Sequence, residues 1–530
     1  MSILSELTEG KAPWNQSFLG TDAYKFSMMM GGRPGEEEVF YLSFRKGGRL
    51  YMPVDLATVI EELLPRVGPK ERNRDHAYLI LNGFDMYPED MDTLMLAMAN
   101  HDLEIVYAVP KGEWVDPREP VLTLRGPQAI VSWLEPLLVG RISYQMQVAT
   151  ALLRASTPVD LTKRKDARAF MDSIATVTCE EQKRLTIEAC RGALEADLDA
   201  ATEAQRQEAL RNLDRHITVD EQGYYDAVAA QCQALIDTGV TPDRFFEVGL
   251  RAATCMDQHL IALKACKDMG FNLTSNVYGA WLLGMTPVGT LGHEGIMRWG
   301  GDDELAFRAH MAALPRVIFL LDTNDTLRVG LPTAYKLFEE YPDRMDGVRP
   351  DSGDLEEQFR AFVDGQANLR THRRPWIFED GLNAERVIRY ERLRAELCYP
   401  ERLTLYGAGG YFIDRPEFTP YKRGAISMIY KLSNTERFGP TMKFGNELES
   451  GDSGKQSLPG VPVTCVEMAT GTIVVCQEGA VPVGYRTYTS GDSRLRPDEV
   501  PSRPYIDAAT SHLIETCQTG RADAVKRSHS

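Results

Sequence analysis

Between residues 240 and 432 the chain alternates short apolar runs with helical stretches, and this alternation restricts the fold more than any other feature. The runs are Arg244–Val248, Phe271–Thr274, Pro287–Gly289, Arg316–Leu321, Gly347–Arg349, Trp376–Glu379, Leu403–Tyr406 and Ser427–Leu432. Short strands separated by helices predict parallel βα units, in which ligands meet the carboxyl ends of the strands. Polar clusters follow nearly every run rather than two at a single switch point. The expectation is therefore a (β/α) barrel, with an open doubly wound sheet as the other candidate.

The flanking regions have a different texture. Residues 1–155 read as an α+β domain. Val39–Phe44, Leu103–Val109 and Pro120–Leu124 are expected strands, and Trp133–Leu153 is a long apolar helix. Residues 156–240 are rich in Ala, Glu, Leu, Arg and Gln at helical spacing and predict amphipathic helices with no assigned chemistry. Residues 241–432 hold the barrel and its site. Residues 433–530 carry the β-like runs Val461–Met468 and Thr472–Gln477 and are expected to pack with the N-terminal domain. The expected class is α/β: an irregular (β/α) barrel plus an α+β domain built from the N-terminal region and the C-terminal tail.

Composition excludes several functions. A net charge of −17 argues against general nucleic-acid or anionic-membrane binding, though not against a local basic pocket. No apolar run reaches membrane-spanning length, and the start has no secretory apolar segment. Nine cysteines without a C-x-x-C pair point to reduced thiols in a cytoplasmic protein. The Cys465 and Cys476 spacing is a weak match to a zinc site.

The strand-end clusters carry the chemistry. Arg251 follows the first run and suits a phosphate, because a guanidinium donates two parallel hydrogen bonds. Ser275 and Asn276 offer donors after the second. His293 beside Glu294, on a glycine-flanked turn, suits an acid, base or nucleophile. Asp322 and Asp325 follow the fourth run. Arg349, Asp351, Ser352, Gly353 and Asp354 follow the fifth, and Asp380 and Gly381 the sixth. Gly407, Gly409 and Gly410 form a loop whose backbone N–H groups can converge on phosphate oxygens. Each cluster also has a plain structural reading: Asp-Ser-Gly-Asp and Ser275–Asn276 both cap helices, and a lone histidine is usually structural. Together they fit a ligand with two anionic groups, a hydroxylated middle and Mg²⁺. A sugar carrying a 5-phosphate and a pyrophosphate has that form.

With these residues in place, the chain from Thr21 to about Gly460 resembles the nicotinate phosphoribosyltransferase family and its nicotinamide branch. The type II phosphoribosyltransferase fold is implied. Thr21-Asp22-Ala23-Tyr24-Lys25 resembles the motif whose tyrosine stacks on the pyridine ring in a neighbouring subunit's site. Arg45 falls where an arginine reaches phosphate across that interface, which implies a homodimer with shared sites. Gly249-Leu250-Arg251 resembles the arginine turn that meets the phosphoribosyl substrate, and Thr274-Ser275-Asn276-Val277 the base-recognition segment. Gly289-Thr290 with His293-Glu294 resembles the motif of the phosphorylatable histidine. Arg349-Pro350-Asp351-Ser352-Gly353-Asp354 resembles the segment common to both branches. Asp380-Gly381 and Gly409-Gly410 resemble the ribose and phosphate loops, and Lys431-Leu432 the strand leading to a lysine-bearing region. Val248 stands where the family usually has a second ring-stacking phenylalanine.

The resemblance implies that nicotinate and phosphoribosyl pyrophosphate give nicotinate mononucleotide and pyrophosphate, a route into NAD. ATP is the co-substrate, coupled through His293. Mg²⁺ is held through water by Asp322 and Asp351, with His293, Asp322 and Asp351 as the catalytic group. Asn276, where the nicotinamide branch has aspartate, favours the acid over the amide because a carboxylate substrate avoids like-charge repulsion. A nicotinamide phosphoribosyltransferase and a non-catalytic metabolite-binding protein on the same fold are the alternatives.

Overall fold

The computed structural model describes residues 2–155, 220–369, 371–415, 423–444, 456–496, 500, 501 and 503–527. Most of the expected helical segment at 156–240, including Glu180–Leu213, lies outside the described residues. Its end is the helix Glu221–Ile236, capped by Asp220.

Strands β6 (Phe245–Glu247), β7 (Leu273–Thr274), β8 (Thr286–Pro287), β9 (Ile318–Leu320), β10 (Gly347–Arg349), β11 (Trp376–Phe378) and β12 (Thr404–Ala408) form one seven-stranded sheet. Its order is β8-β7-β6-β12-β11-β10-β9, and every pairing is parallel. Strands consecutive in sequence are neighbours all the way round, except between β8 and β9. There the amide of Leu291 donates to the Ile318 carbonyl at 3.1 Å, partly bridging the gap. The result is a curled half-barrel, as the alternation of runs predicts.

Period-two alternation explains its two surfaces. Phe246, Ile318 and Ile377 point inward with Val248, Leu273, Val288 and Leu405 beside them. Phe245, Phe319, Trp376, Phe378 and Tyr406 point outward into a core shared with the helices. Those helices begin where the sequence supplies caps: Asn276 before Val277–Leu283, Asp354 before Leu355–Ala367 and Asn383 before Ala384–Glu396.

The eighth run corrects the expectation. Met428–Thr435, β13, leaves the barrel and joins the N-terminal sheet. That five-stranded sheet has the order β14-β13-β1-β5-β3, with β1 Glu37–Phe44, β3 Glu104–Ala108, β5 Leu122–Pro127 and β14 Gly439–Pro440. β13 runs antiparallel to β1, with Lys431 opposite Tyr41. The short strands β2 (Leu50–Tyr51) and β4 (Trp114–Val115) pair nearby.

A third sheet, β17-β15-β16-β18, joins β15 (Pro462–Glu467), β16 (Ile473–Gln477), β17 (Tyr485–Thr487) and β18 (Tyr505–Ile506). It is seated on the N-terminal sheet. Thr464 Oγ1 donates to the Pro120 carbonyl at 3.0 Å, and buried Arg496 meets Glu119 at 2.9 Å. Cys465 and Cys476 are buried in β15 and β16. Among the described residues the one three-ligand group spaced for a metal is His293, Asp322 and Asp351. No helix among them is long and apolar enough to cross a membrane.

Candidate active site

A cavity of about 760 Å³ opens at the carboxyl ends of the half-barrel strands and runs into its apolar interior. Of the residues singled out from sequence, Tyr24, Arg45, Arg251, Ser275, His293, Arg349 and Asp351 line it, as do Asp380, Gly381, Gly409 and Gly410. Loops far apart in the chain thus share one mouth. Asn276, Asp322, Ser352 and Gly353 are not part of the wall.

His293 sits at the start of the short helix His293–Met297. Its Nδ1 lies 3.0 Å from Thr323 Oγ1, and its Nε2 lies 2.5 Å from Lys443 Nζ and 3.5 Å from Asp351 Oδ2. Burial, reinforced by the Lys443 charge, lowers its pKa to about 4, so the imidazole is neutral at pH 7. Burial works against a charged Asp351, but neighbouring groups, the Arg349 and Lys443 charges among them, outweigh it and hold this carboxyl well below the usual range. Asp322 is fully buried behind them. It accepts from the Asp351 amide at 3.1 Å and from Ser352 Oγ at 2.5 Å, so Ser352 shapes the turn from behind. Gly353, at φ +90°, supplies a left-handed position there.

Two assignments change. Asn276 does not face the cavity. Its Oδ1 accepts from the Gly279 amide at 2.9 Å as a helix cap, and its Nδ2 lies 2.8 Å from buried His259 Nδ1. The Ser275 hydroxyl donates to Asp22 Oδ1 at 2.5 Å, so its proton is committed within the protein. Asp22 itself is on the cavity wall, and burial, opposed by the Ser275 bond, raises its pKa to about 6.

The second change concerns Tyr24 and Arg45, which the resemblance assigns to a partner's site. Here they line the cavity of their own chain. The Ala23 amide donates to the Ser275 carbonyl at 2.6 Å and the Val277 amide to the Thr21 carbonyl at 3.1 Å. Tyr24 Oη donates to Glu135 Oε2 at 2.8 Å, and Lys25, fully buried, bridges Glu135 at 2.5 Å and Glu294 at 2.7 Å. This chain of charges ties the N-terminal motif to the histidine motif.

Arg349 is held rather than free. It pairs with Glu379, donates to the Leu291 carbonyl at 3.0 Å and lies 3.4 Å from Asp351. Gly407 makes room for Glu379, because a Cβ there would sit 2.4 Å from the Glu379 side chain. Asp380 and Gly381 both adopt left-handed backbone, at φ 64° and 61°, which turns their loop toward the cavity.

Arg423, Lys431 and Lys443 join Arg45 and Arg251 on the wall. Burial and then the neighbouring charges act on two of them. Arg423 falls to about 10 against the push of Arg251, and Lys431 falls to about 7, with Glu135 opposing and Lys443 adding to the shift. Sequence reasoning missed Glu135, Arg423 and Lys443 as site residues and placed Glu379 at its strand end without a role. A lysine inside the apolar strand Met428–Leu432 was the one legible signal of this cluster.

The class is that of an α/β protein with a curled half-barrel whose mouth gathers cations, a neutral histidine and adjacent carboxylates, a set whose chemistry suits an anionic ligand. Comparison narrows the class. No family model matches the chain. It is 29% identical over 222 residues to the nicotinate phosphoribosyltransferase of Bacillus subtilis, a match covering 41% of this chain and 42% of that protein. It is 22% identical over 430 residues to nicotinate phosphoribosyltransferase 2 of Arabidopsis thaliana, covering 78% and 68%. The chain thus spans less than half the length of the first of these relatives. The crystal structure of nicotinate phosphoribosyltransferase from Vibrio cholerae matches with a TM-score of 0.51 at 17% identity, over 82% of this chain and 89% of that one. The chain is similar in sequence to nicotinate phosphoribosyltransferases and shares their fold.

Proposed function

We propose that the protein is a cytoplasmic nicotinate phosphoribosyltransferase, forming nicotinate mononucleotide and pyrophosphate from nicotinate and phosphoribosyl pyrophosphate with ATP hydrolysis, on a route into NAD. One observation carries the reading. Tyr24, Arg251, His293, Asp351 and the Gly409–Gly410 loop, on separate segments, meet at a single cavity.

The pyridine ring lies against Tyr24, and its carboxylate meets Arg251, whose guanidinium is 5.7 Å from the Tyr24 ring centre. The 5-phosphate lies on the Gly409–Gly410 amides and the pyrophosphate among Arg45, Arg423 and Lys431. These cations stabilise charge as the C1–oxygen bond to pyrophosphate breaks and the pyridine nitrogen bonds to C1. His293 is the nucleophile toward ATP. Nε2 takes the γ-phosphoryl group as its bond to the ADP oxygen breaks, and hydrolysis of the phosphohistidine returns the imidazole.

Asp351 faces the cavity with a charged carboxylate, so it fits a hydrated Mg²⁺. Asp322, already accepting two hydrogen bonds, reaches such an ion only through water. Bound Mg²⁺ neutralises pyrophosphate charge. The assembly proposed is a homodimer with shared active sites, in which Tyr24 and Arg45 also line the cavity of their own chain.

Asp22 on that wall favours a second reading, the nicotinamide enzyme, since a carboxylate accepts from a carboxamide NH₂. Rates with each base at saturating phosphoribosyl pyrophosphate decide between them. Preference for the amide overturns the acid assignment, and no pyrophosphate release with either base leaves a binding protein.

A further inference from the structure

The C-terminal helix Ala508–Arg527 lies outside the cavity, yet it touches both loops that flank His293. Arg521 donates to the carbonyl of Asn324, the residue after Thr323. Its guanidinium also lies 4.8 Å from the ring centre of Phe444, the residue after Lys443. Cys517, one turn earlier, reaches the Pro440 carbonyl at 3.6 Å. We infer that Arg521 is a positioning residue, clamping the Thr323 and Lys443 loops so that His293 presents one defined nitrogen to the cavity. The inference rests on the reading of His293 given above.

The hydrogen-bond chemistry makes the clamp consequential. An ammonium has protons to donate and no lone pair, so at 2.5 Å from Lys443 the His293 Nε2 must be the acceptor. The single proton of the neutral ring is then on Nδ1 and donates to Thr323 Oγ1 at 3.0 Å. Nε2 is thus the nitrogen that carries the lone pair, accepting from Lys443 beside Asp351. Lys443 sets this tautomer and Thr323 receives its proton, and the two arrive on segments 120 positions apart. Asn324 is also tethered on its other side, donating from Nδ2 to the Gly301 carbonyl at 2.7 Å and to Asp303 Oδ2 at 2.5 Å. Arg521 contacts the residue next to each partner, so one side chain couples the two loops.

The test uses the full chain with Arg521→Met, which keeps the stem over Phe444 and removes the donors, and Arg521→Lys, which restores a donor. Glu515→Ala, on the exposed face of the same helix, is the control. The readouts are acid-labile phosphate incorporated from radiolabelled ATP, the rate of mononucleotide formation with and without ATP, and the ring-nitrogen chemical shifts of His293. Arg521→Met is expected to lose roughly tenfold in the ATP-dependent increment, the scale of a misplaced catalytic group, with the ATP-independent rate held within about twofold. Its His293 shifts should move from a single tautomer toward a mixture, and Arg521→Lys should recover part of both. Wild-type phosphorylation and unchanged His293 shifts in Arg521→Met overturn the inference. If the wild type takes no phosphoryl group from ATP, the functional reading fails, while the shifts still decide whether Arg521 sets the tautomer.

Discussion

Gly289 offers the sharpest test of how the cavity wall is made. A Cβ at this position would lie 2.5 Å from the Tyr24 amide nitrogen, 2.7 Å from its Cα and 2.8 Å from the Ala23 carbonyl carbon. All three are backbone atoms, so no side chain can rotate away. Ordinary contact begins at 3.4 Å, and the difference from 2.5 Å means a separation of about 0.9 Å between the histidine-motif loop and the start of the helix Ala23–Met30. That helix start is anchored by the Ala23–Ser275 and Thr21–Val277 hydrogen bonds, so the displacement falls on Tyr24 and on its bond to Glu135. Overpacking of this kind costs about 1–3 kcal/mol. Gly289→Ala should therefore lower the thermal midpoint and weaken nicotinate mononucleotide binding by about 10-fold or more, since an error near 1 Å in a positioning group is felt strongly. Calorimetric titration and thermal unfolding of the same preparation measure both. Wild-type affinity and midpoint in Gly289→Ala would refute the claim that Tyr24 packs against this loop.

Three further outcomes follow from the same geometry. Mixing Tyr24→Ala with His293→Ala chains under subunit exchange should restore no activity, because both residues serve one chain's cavity; recovery of about a quarter of the wild-type rate, as random dimer pairing gives for a site completed in trans, would place Tyr24 in the partner's site. With Lys431 lowered to about 7, its charge is present below that pH and lost above it, so affinity for a phosphorylated ligand should fall by up to about tenfold per pH unit above 7 and be flatter in Lys431→Gln. Arg496→Ala leaves Glu119 buried without its cation, while Asp116 keeps Arg49, and should cost roughly 3 kcal/mol of stability, read as a lower denaturant midpoint.

Much of the fold was legible because period and length carry it. The runs that became β6 to β12 were visible with their strand-end loops, and their order follows from right-handed βα connection alone. Ser427–Leu432 reads the same way by composition, yet it pairs with β1, about 390 residues upstream, and nothing local distinguishes the two fates. Asn276 shows the same limit on a smaller scale. Its amide suits a ligand or a helix N-terminus equally, and the site was decided by His259, 17 residues earlier in the chain. The resemblance assigns Tyr24 to ring stacking, but a motif does not say which copy of the chain receives it. Glu379 was passed over because it precedes the loop residues Asp380 and Gly381; only the glycine at 407 that makes room for its side chain hints at its inward direction.

The charges of this site divide into two kinds. Lys25 and Arg349 are enclosed by carboxylates, Glu135 with Glu294 in one case and Glu379 with Asp351 in the other. A buried ion pair of that sort contributes little net stability but fixes geometry, because removing either partner strands the other. Arg45, Arg251, Arg423 and Lys431 instead gather on one wall, where burial first and then the neighbouring cations lower Arg423 and Lys431. Folding brings these cations together at a cost that an anion in the cavity would relieve. Under the proposed function this wall supplies the affinity for an anionic ligand, and its neutralisation on binding should raise the Lys431 pKa, with a proton taken up from solution above pH 7.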